Sequence, residues 1–300
     1  MTRYLLGPAT AANLLCYIIF GAVSRAFFVA GFDGIPTVSY SVVNVIVNGA
    51  ANDASRARLD YEAFVRDRVD QVRQRIEAAV ALGRGASQSS NPHGQRHDVV
   101  LVAVTKTHPV SAVMAAWNAG VPDVGENKVQ EAEEKMTVAR ANQLAVRWHL
   151  IGHLQRNKAK LAVRFDLVHS IDSERLAFAV NEAALAAGKV QDVLLQVNVS
   201  GEGSKGGVAV ADVASCAAAL HRCPNLRVTG VMTMAPFDAP ETVLRTVFSG
   251  ARAVGQQLRA EGHPATELSM GMSGDYEVAV QEGATLVRLG TVLFGHRASP

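Results

Sequence analysis

The residue best suited to covalent chemistry is Lys106, which directly follows a buried run of the sequence. The six apolar residues VVLVAV occupy positions 99–104, and Lys106 lies two positions beyond them, where a strand would end. An ammonium group is costly to bury. A lysine beside another cation in apolar surroundings has a lowered pKa, so that its neutral amine can attack a carbonyl group. The alternative is a strand-end lysine whose ammonium group simply reaches water.

A second cation lies in the apolar run LVRLGTVLFG near the end of the chain. Alternation along a strand puts Arg288 and Gly290 of this run on one face. If this strand pairs with the strand that ends before Lys106, the guanidinium group of Arg288 lies beside the amine. The pair would provide an imine-forming lysine next to a fixed cation.

An anion site is indicated by two turns. The segment SMGMSGD, residues 269–275, is a glycine-flanked turn before a helical stretch, so backbone amides around Ser273 and the helix N-terminus face one spot. Gly290 and Thr291 bring further amides and a hydroxyl group, although such a turn alone is more often only a helix cap. The lysine, the arginine and the anion site together suit pyridoxal 5'-phosphate, which has an aldehyde, a ring nitrogen and a phosphate.

Short apolar runs alternate with helical patterns from Asp98 onward, and these runs must position the candidate residues. The predicted strands cover residues 99–106, 123–127, 147–152, 166–172, 192–200, 226–234, 266–273 and 286–290. Eight β/α repeats predict a single closed (β/α)8 barrel, a TIM-type α/β fold, with an open doubly wound sheet as the alternative. Active sites of such barrels lie at the carboxyl ends of the strands, and phosphate groups are commonly held after strands seven and eight.

Two segments precede the barrel. Apolar residues recur at helical spacing from Leu59 to Leu82, which predicts an added N-terminal helix. Residues 1–55 form an unusual apolar leader, in which Arg3 and Arg25 bracket an uncharged stretch that includes LLCYIIF. A membrane span, a signal peptide, a transit peptide and a translation start placed too far upstream all remain open for this leader. We therefore assign residues 1–55 to a leader or extension and residues 56–300 to the barrel.

The net charge and the cysteine content limit the classes of binding partner and the cellular compartment that we expect. The net charge is only +2, and no basic block interleaves with aromatic residues, so we expect no nucleic-acid binding. The three cysteines form no C-x-x-C pair and favour a reducing compartment, which predicts a cytoplasmic protein. Association with an organelle or a membrane through residues 1–50 is the alternative. We expect a monomer.

Three further patterns have simpler explanations. His149 and His153 are four positions apart in WHLIGHLQ, which is too far along a strand for one metal, so we expect a core or pocket-edge histidine and a loop histidine. The acidic run EAEEK, residues 131–135, is most simply the solvated face of the second helix of the barrel. The glycines of GEGSKGG fit a dinucleotide fingerprint, but no acidic residue ends the next strand.

Ordered segments of the chain resemble the pyridoxal phosphate homeostasis protein family, whose members are relatives of the barrel domain of alanine racemase. The segments are VAVTKTHP, GENKVQEAEEK, WHLIGHLQRNKAK, VHSID, LLQVNVSGEGSKGGV, GVMTM, LSMGMSGDYEVAVQEG and VRLGTVLFG. The resemblance implies a (β/α)8 barrel that holds pyridoxal phosphate as an imine on Lys106. Lys128 departs from the family pattern, because many members have tyrosine at this position.

The same resemblance assigns the remaining site residues. It implies that Asn127 faces the cofactor and that Arg288 approaches the pyridine nitrogen. It also implies that the phosphate is held by Ser273, Gly290 and Thr291.

The resemblance leaves a carrier and an enzyme as alternatives. An arginine at the ring nitrogen discourages its protonation, which disfavours transaminase-like chemistry. Racemisation needs a base on each face of the substrate, and alanine racemases take the second base from a C-terminal domain that we expect this chain to lack. We therefore expect a protein that is not an enzyme and that binds pyridoxal phosphate in intracellular homeostasis and carriage to apoenzymes. A pyridoxal phosphate-dependent amino-acid racemase is the alternative. Lys205 is a candidate to accept the aldehyde in transit.

Overall fold

Eight short parallel strands close into a barrel in the computed structural model, which describes residues 40–83, 99–203 and 205–295. The strands are β1 Val100–Val104, β2 Asp123–Glu126, β3 Arg147–Leu150, β4 Leu167–Ile171, β5 Gln191–Asn198, β6 Leu226–Met232, β7 Glu267–Ser269 and β8 Leu286–Leu289. Each strand pairs in parallel with the next, and β8 pairs with β1. This closure confirms the predicted barrel and excludes the open sheet. A two-residue strand, Val208–Ala209, adds to β5 outside the ring.

Helices pack on the outside of the barrel, the first of them through its residues from Val65 onward. They are α1 Tyr40–Leu82, α2 Val110–Asn118, α3 Val129–Ala141, α4 Ala159–Ala162, α5 Glu174–Ala186, α6 Val213–Leu220, α7 Glu241–Ala260, α8 Tyr276–Gln281 and α9 Thr291–Phe294. Two short 3₁₀ turns, Arg156–Lys158 and Val210–Asp212, precede α4 and α6. The apolar side chains between strands and helices form one buried layer, as expected when parallel strands are covered by helices.

The helix after β4 begins and ends at the residues that its sequence indicates. Ser173 is the N-cap of α5, and its Oγ accepts a hydrogen bond from the Leu176 amide at 3.4 Å. The helix ends at Ala186, and Gly188 follows it with a φ of +63°. A serine cap and a left-handed glycine therefore bound this helix, as the pattern predicts.

The N-terminal helix is longer than its apolar spacing predicts. It begins at Tyr40, not at Leu59, because the intervening sequence contains no proline to end it. Its buried residues Val65, Val69 and Val72 recur at helical spacing and pack into the common core. Across the described segments of the chain, we find no helix with both the length and the apolarity of a membrane span. The leader before Tyr40 lies outside the described residues.

The chain divides into two compact units, Met1–Ser55 and Arg56–Pro300, and the barrel belongs to the second.

Candidate cofactor site at the carboxyl ends of the strands

The strand that carries Lys106 lies directly beside the last strand of the barrel. Val102 of β1 is in register with Arg288 of β8. The turn after β8 approaches the end of β1 so closely that a Cβ atom on Gly290 would lie 3.2 Å from the Val104 carbonyl oxygen. Lys106 follows this point by two residues and is half-buried. The predicted pairing of the two strands is therefore confirmed, and the approach of the Lys106 amine to the Arg288 guanidinium remains a prediction.

Arg288 is buried inside the barrel, and its guanidinium group is held by two hydrogen bonds. Nη1 donates to Ser269 Oγ at 2.6 Å, and Nη2 donates to the Thr233 carbonyl oxygen at 3.0 Å. Burial lowers the pKa of Arg288 to about 10, although the negative charge of Asp275 acts in the opposite direction. The group remains a cation at neutral pH and is fixed in direction.

A buried chain of polar side chains extends from Ser269 across the barrel interior. His169 Nδ1 lies 2.8 Å from Ser269 Oγ, and His169 Nε2 lies 2.9 Å from His149 Nδ1. His149 Nε2 lies 3.0 Å from Asp123 Oδ1, and Arg147 donates to Asp123 Oδ2 at 2.5 Å. The chain therefore links the candidate site to Asp123, the first residue of β2.

The charge states within this chain follow from burial and from hydrogen bonding. Burial lowers the pKa of His169 well below its ordinary value, and electrostatic interactions with His149 and Arg288 act in the same direction. Burial tends to raise the pKa of Asp123, but hydrogen bonds from His149 and Arg147 outweigh this effect and lower the pKa. His169 is therefore neutral and Asp123 is a carboxylate at neutral pH.

The histidine predictions from WHLIGHLQ are confirmed. His149 is buried on β3, and His153 is exposed in the loop that follows, where its Nδ1 lies 3.2 Å from Asp172 Oδ2. In the described segments, no three side chains of the metal-binding types cluster as a metal site would require.

The turns after β7 and β8 meet where the sequence predicts an anion site. The Val292 amide donates to Ser273 Oγ at 3.3 Å, which joins the two turns. Gly271 has a φ of +94°, and a Cβ atom there would lie 2.8 Å from the Ala279 Cβ atom, so only glycine fits. Thr291 is exposed at the start of α9. The structure thus brings Ser273, Gly290 and Thr291 to one edge of the barrel.

One acidic residue near this edge was missed by the sequence analysis. Asp275 Oδ1 accepts a hydrogen bond from the Met272 amide at 2.6 Å, so this amide is already used within the turn. Burial raises the pKa of Asp275, and the Met272 hydrogen bond and the charges of Arg288 and Lys205 act against this rise. The turn therefore offers fewer amides to an anion than the sequence suggests.

Asn127 follows β2 and is half-buried against a glycine. A Cβ atom on Gly152 would lie 2.4 Å from the Asn127 carbonyl oxygen and 2.6 Å from its Cα atom. Glycine at position 152 is thus required for the close approach of the loops after β2 and β3.

The prediction that residues 131–135 form a solvated face is wrong for three of the five residues: Ala132 and Lys135 are buried, and the Glu131 side chain is only 24% exposed. Lys135 is only 5% exposed, and its Nζ lies 2.7 Å from Glu126 Oε1 and 2.8 Å from Glu131 Oε1. Residues four apart share one face of a helix, so Glu131 and Lys135 both face the barrel, whereas Glu134 is exposed.

Lys205 lies in the loop after β5, as its position in GEGSKGG predicts. Its ammonium group donates to the Ala235 carbonyl oxygen and lies 3.7 Å from Glu202 Oε2. Its positive charge lowers the pKa of Asp275 in the turn after β7.

Comparisons with known proteins agree with one another. The family described as alanine racemase, N-terminal domain, matches residues 91–298. A protein of Vibrio cholerae serotype O1 named pyridoxal phosphate homeostasis protein is 40% identical over 230 residues, which cover 75% of this chain and 96% of that protein. The structure of PipY from Synechococcus elongatus with PLP bound is 34% identical, with coverage of 77% of this chain and 100% of PipY and a TM-score of 0.66. Alanine racemase from Corynebacterium glutamicum is 16% identical, with coverage of 74% and 62% and a TM-score of 0.56, which shows similarity of fold alone.

Proposed function

The chain belongs to the pyridoxal phosphate homeostasis protein family, and from this membership we propose that it binds pyridoxal 5'-phosphate as an imine on Lys106. We propose that its role is homeostasis and carriage of the cofactor inside the cell, without a dedicated reaction. The observation that carries this proposal is the junction of β1 and β8, where the turn at Gly290 lies against Val104, two residues before Lys106.

The donor set at this edge of the barrel fits the three polar parts of the cofactor. Lys106 supplies a primary amine for the aldehyde. Ser273, Gly290 and Thr291, which lie in two joined turns, supply hydroxyl groups and backbone amides for the phosphate. Arg288 and Asn127 supply polar groups that can contact the pyridine ring. When bound, the cofactor supplies an electrophilic aldehyde that an acceptor enzyme can use.

The guanidinium group of Arg288 supports a role without catalysis. Arginine has only hydrogen-bond donors, and with a pKa of about 10 Arg288 keeps its proton at neutral pH. A donor at the pyridine nitrogen stabilises the unprotonated ring, which withdraws electrons weakly. Arg288 is therefore expected to limit reactions of bound amino acids and to favour simple holding of the cofactor.

An amino-acid racemase, the alternative, requires a second base opposite Lys106. Tyr276 follows the anion-binding turn but is only 3% exposed and packs in the hydrophobic core. Its hydroxyl group is therefore poorly placed to exchange protons with a substrate. We also propose that the protein acts as a cytoplasmic monomer and that it delivers the cofactor to pyridoxal phosphate-dependent apoenzymes.

Borohydride reduction of the purified full-length protein, followed by peptide mass mapping, tests the attachment. The reduced cofactor is expected on the peptide that contains Lys106, and Lys106→Ala should lose both the label and the visible imine absorbance. Lys128→Ala, which changes an exposed lysine after β2, is the matched control and should keep both. A label on another lysine in the unchanged protein would refute the proposal.

Two activity measurements separate carriage from catalysis. A carrier should restore activity to a cofactor-free acceptor enzyme and leave the optical rotation of pure L-alanine unchanged. Racemisation of L-alanine or another amino acid above trace rates would favour the enzyme.

A further inference from the structure

A second lysine, Lys135, is buried beside the end of β1 and uses all its hydrogen-bond donors. Its Nζ donates to the Thr105 carbonyl oxygen at 2.7 Å, to Glu126 Oε1 at 2.7 Å and to Glu131 Oε1 at 2.8 Å. An ammonium group has three N–H donors, so this set is complete. Lys135 is therefore a structural cation held by two carboxylates.

The partners of this cation hold the backbone on both sides of Lys106. Thr105, the preceding residue, accepts from Lys135 through its carbonyl oxygen and donates from Oγ1 to Glu126 Oε1 at 2.5 Å. The amide of Thr107, the following residue, donates to Glu131 Oε1 at 2.5 Å. The peptide groups before and after Lys106 are thus tied to one buried ionic cluster.

The turn at Lys106 needs such support. Thr107 has a φ of +63°, which places a β-branched residue in the left-handed region. This conformation costs about 1–3 kcal/mol and persists only where surrounding contacts impose it. The bond to Glu131 and the bond from the His108 amide to the Thr105 carbonyl oxygen, at 3.0 Å, both oppose a change of Thr107 to an extended backbone.

The cluster lies on the helix side of the barrel wall, opposite to the candidate site. Thr105 and Glu126 face α3, where Lys135 contacts both. Successive side chains of a strand point to opposite faces. Lys106 and Asn127 follow Thr105 and Glu126, so we expect their side chains to point toward the barrel interior. One buried cluster thus supports the two residues that the proposed function assigns to the amine and to the cofactor face.

The cluster is also sensitive to the loss of a single charge. Glu126 is fully buried, its Oε2 has no hydrogen-bond partner among the described residues, and burial raises the pKa of its carboxyl group. Removing Lys135 would leave this carboxylate buried and unpaired, which is strongly destabilising. Glu131 is the better residue to change, because its side chain is 24% exposed and the Lys135–Glu126 pair remains without it.

From these contacts we propose that Glu126, Glu131 and Lys135 are positioning residues that hold the Lys106 turn in the conformation needed for imine formation. This inference rests on the proposed function of Lys106. The Glu131–Thr107 bond fixes the turn directly, and Lys135 holds Glu131 in place.

Rates of imine formation in the cofactor-free full-length protein test the proposal. Glu131→Ala should slow the appearance of imine absorbance about tenfold, because misplacement of a reacting group costs one to two orders of magnitude in rate. Glu131→Gln keeps an oxygen acceptor for the Thr107 amide and should recover most of the rate. Glu133→Ala is the matched control, because Glu133 lies on the same helix and forms an ion pair with Arg164. Its rate should equal that of the unchanged protein.

Two further measurements distinguish positioning from general stability and from failure of the proposed function. Thermal unfolding of each variant without cofactor reports stability, and a purely structural role would lower Tm without changing the rate of imine formation by folded protein. Competitive labelling with an amine-reactive reagent reports the Lys106 turn without any cofactor. Glu131→Ala should raise the labelling rate of Lys106 several-fold relative to exposed Lys160, because the freed turn opens more often.

Failure of the proposed function and failure of the positioning inference give different results. Absence of an imine on Lys106 in the unchanged protein refutes the proposed function, while the labelling rates still report on the cluster. Labelling and imine rates of Glu131→Ala equal to those of the unchanged protein would overturn the inference.

Discussion

Ser269 Oγ and Arg288 Nη1 are joined by a 2.6 Å hydrogen bond between adjacent strands in the barrel interior. Asp123 can only accept, so His149 Nε2 donates to it. Neutral His169 donates from one ring nitrogen and accepts at the other. When His169 Nε2 donates to His149 Nδ1, His169 Nδ1 accepts from Ser269, whose oxygen accepts from Arg288. This arrangement joins Arg288 to Asp123 by an unbroken series of hydrogen bonds.

Ser269→Ala should destabilise the protein, because it removes the hydroxyl group between a buried cation and His169. We expect the free energy of unfolding to fall by about 1–3 kcal/mol, the usual cost of leaving a buried donor unpaired. Urea unfolding without cofactor measures this change. Ser249→Ala is the matched control, because the Ser249 hydroxyl donates to backbone carbonyl groups of its own helix, at 2.7 and 3.2 Å, and not to a buried charged network. Equal effects of the two substitutions would contradict the assigned role of Ser269.

The buried His169 should make stability depend on pH. Its pKa is lowered by burial, so below about pH 6.5 an unfolded histidine binds a proton that folded His169 does not bind. The free energy of unfolding should therefore fall as the pH decreases from 7 toward the folded pKa, by up to about 1.4 kcal/mol per pH unit for one such group. The pKa of His263 is also lowered, chiefly by burial, and contributes with the same sign.

Urea titrations at several values between about pH 7.5 and pH 6 measure this slope, above the range in which carboxyl groups dominate. His169→Asn keeps a polar group near Ser269 and should reduce the slope. A slope that is the same in His169→Asn and in the unchanged protein would show that His169 does not contribute.

The barrel could be predicted from the sequence because short strand-like runs recur between helical patterns, although β2 (DVGE) and β3 (RWHL) are only partly apolar. Closure then forces the first and last strands together, which is why the pairing of the Lys106 and Arg288 strands could be inferred. Strand β7 is shorter than predicted: it ends at Ser269, because the positive φ of Gly271 turns the chain away.

The polar chain inside the barrel could not be predicted in the same way. Parallel strands covered by helices are buried on both faces, so apolar runs do not reveal which alternate residues point inward. The contact between His169 and Ser269 joins residues that are 100 positions apart. The only signal was the presence of two histidines and a serine within buried runs.

The burial of Lys135 was missed for a related reason. Its partners include a backbone carbonyl oxygen at the end of β1, and no side-chain pattern marks such an acceptor. Helical spacing alone shows that Glu131 and Lys135 share a face, but not that this face meets the barrel wall.

Gly152→Ala should disturb both stability and cofactor binding. A methyl group at this position would lie 2.4–2.6 Å from backbone atoms of Asn127, so one of the two loops must move. We expect a loss of about 1–3 kcal/mol in the free energy of unfolding and a smaller yield of imine at a given cofactor concentration. Gly203→Ala is the control, because within the described part of the chain no non-neighbouring atom lies within 4 Å of its added Cβ atom. An unchanged imine yield in Gly152→Ala would argue against a role of Asn127 at the cofactor.

The barrel should fold without the leader, so a chain of residues 56–300 is expected to unfold cooperatively and to bind the cofactor like the full-length protein. The described side chains from Ser55 to Asp60 are exposed, whereas the buried face of α1 begins at Val65. Removal of residues 1–55 should therefore change the free energy of unfolding of the barrel by less than about 0.5 kcal/mol, as at other exposed positions.

A shorter chain, residues 73–300, loses Val65, Val69 and Val72. It should be less stable by about 4 kcal/mol or more, since each buried valine contributes about 1.5 kcal/mol or more. Urea unfolding and imine absorbance of the three chains measure these differences, and loss of cooperative unfolding in residues 56–300 would show that the leader is part of the fold.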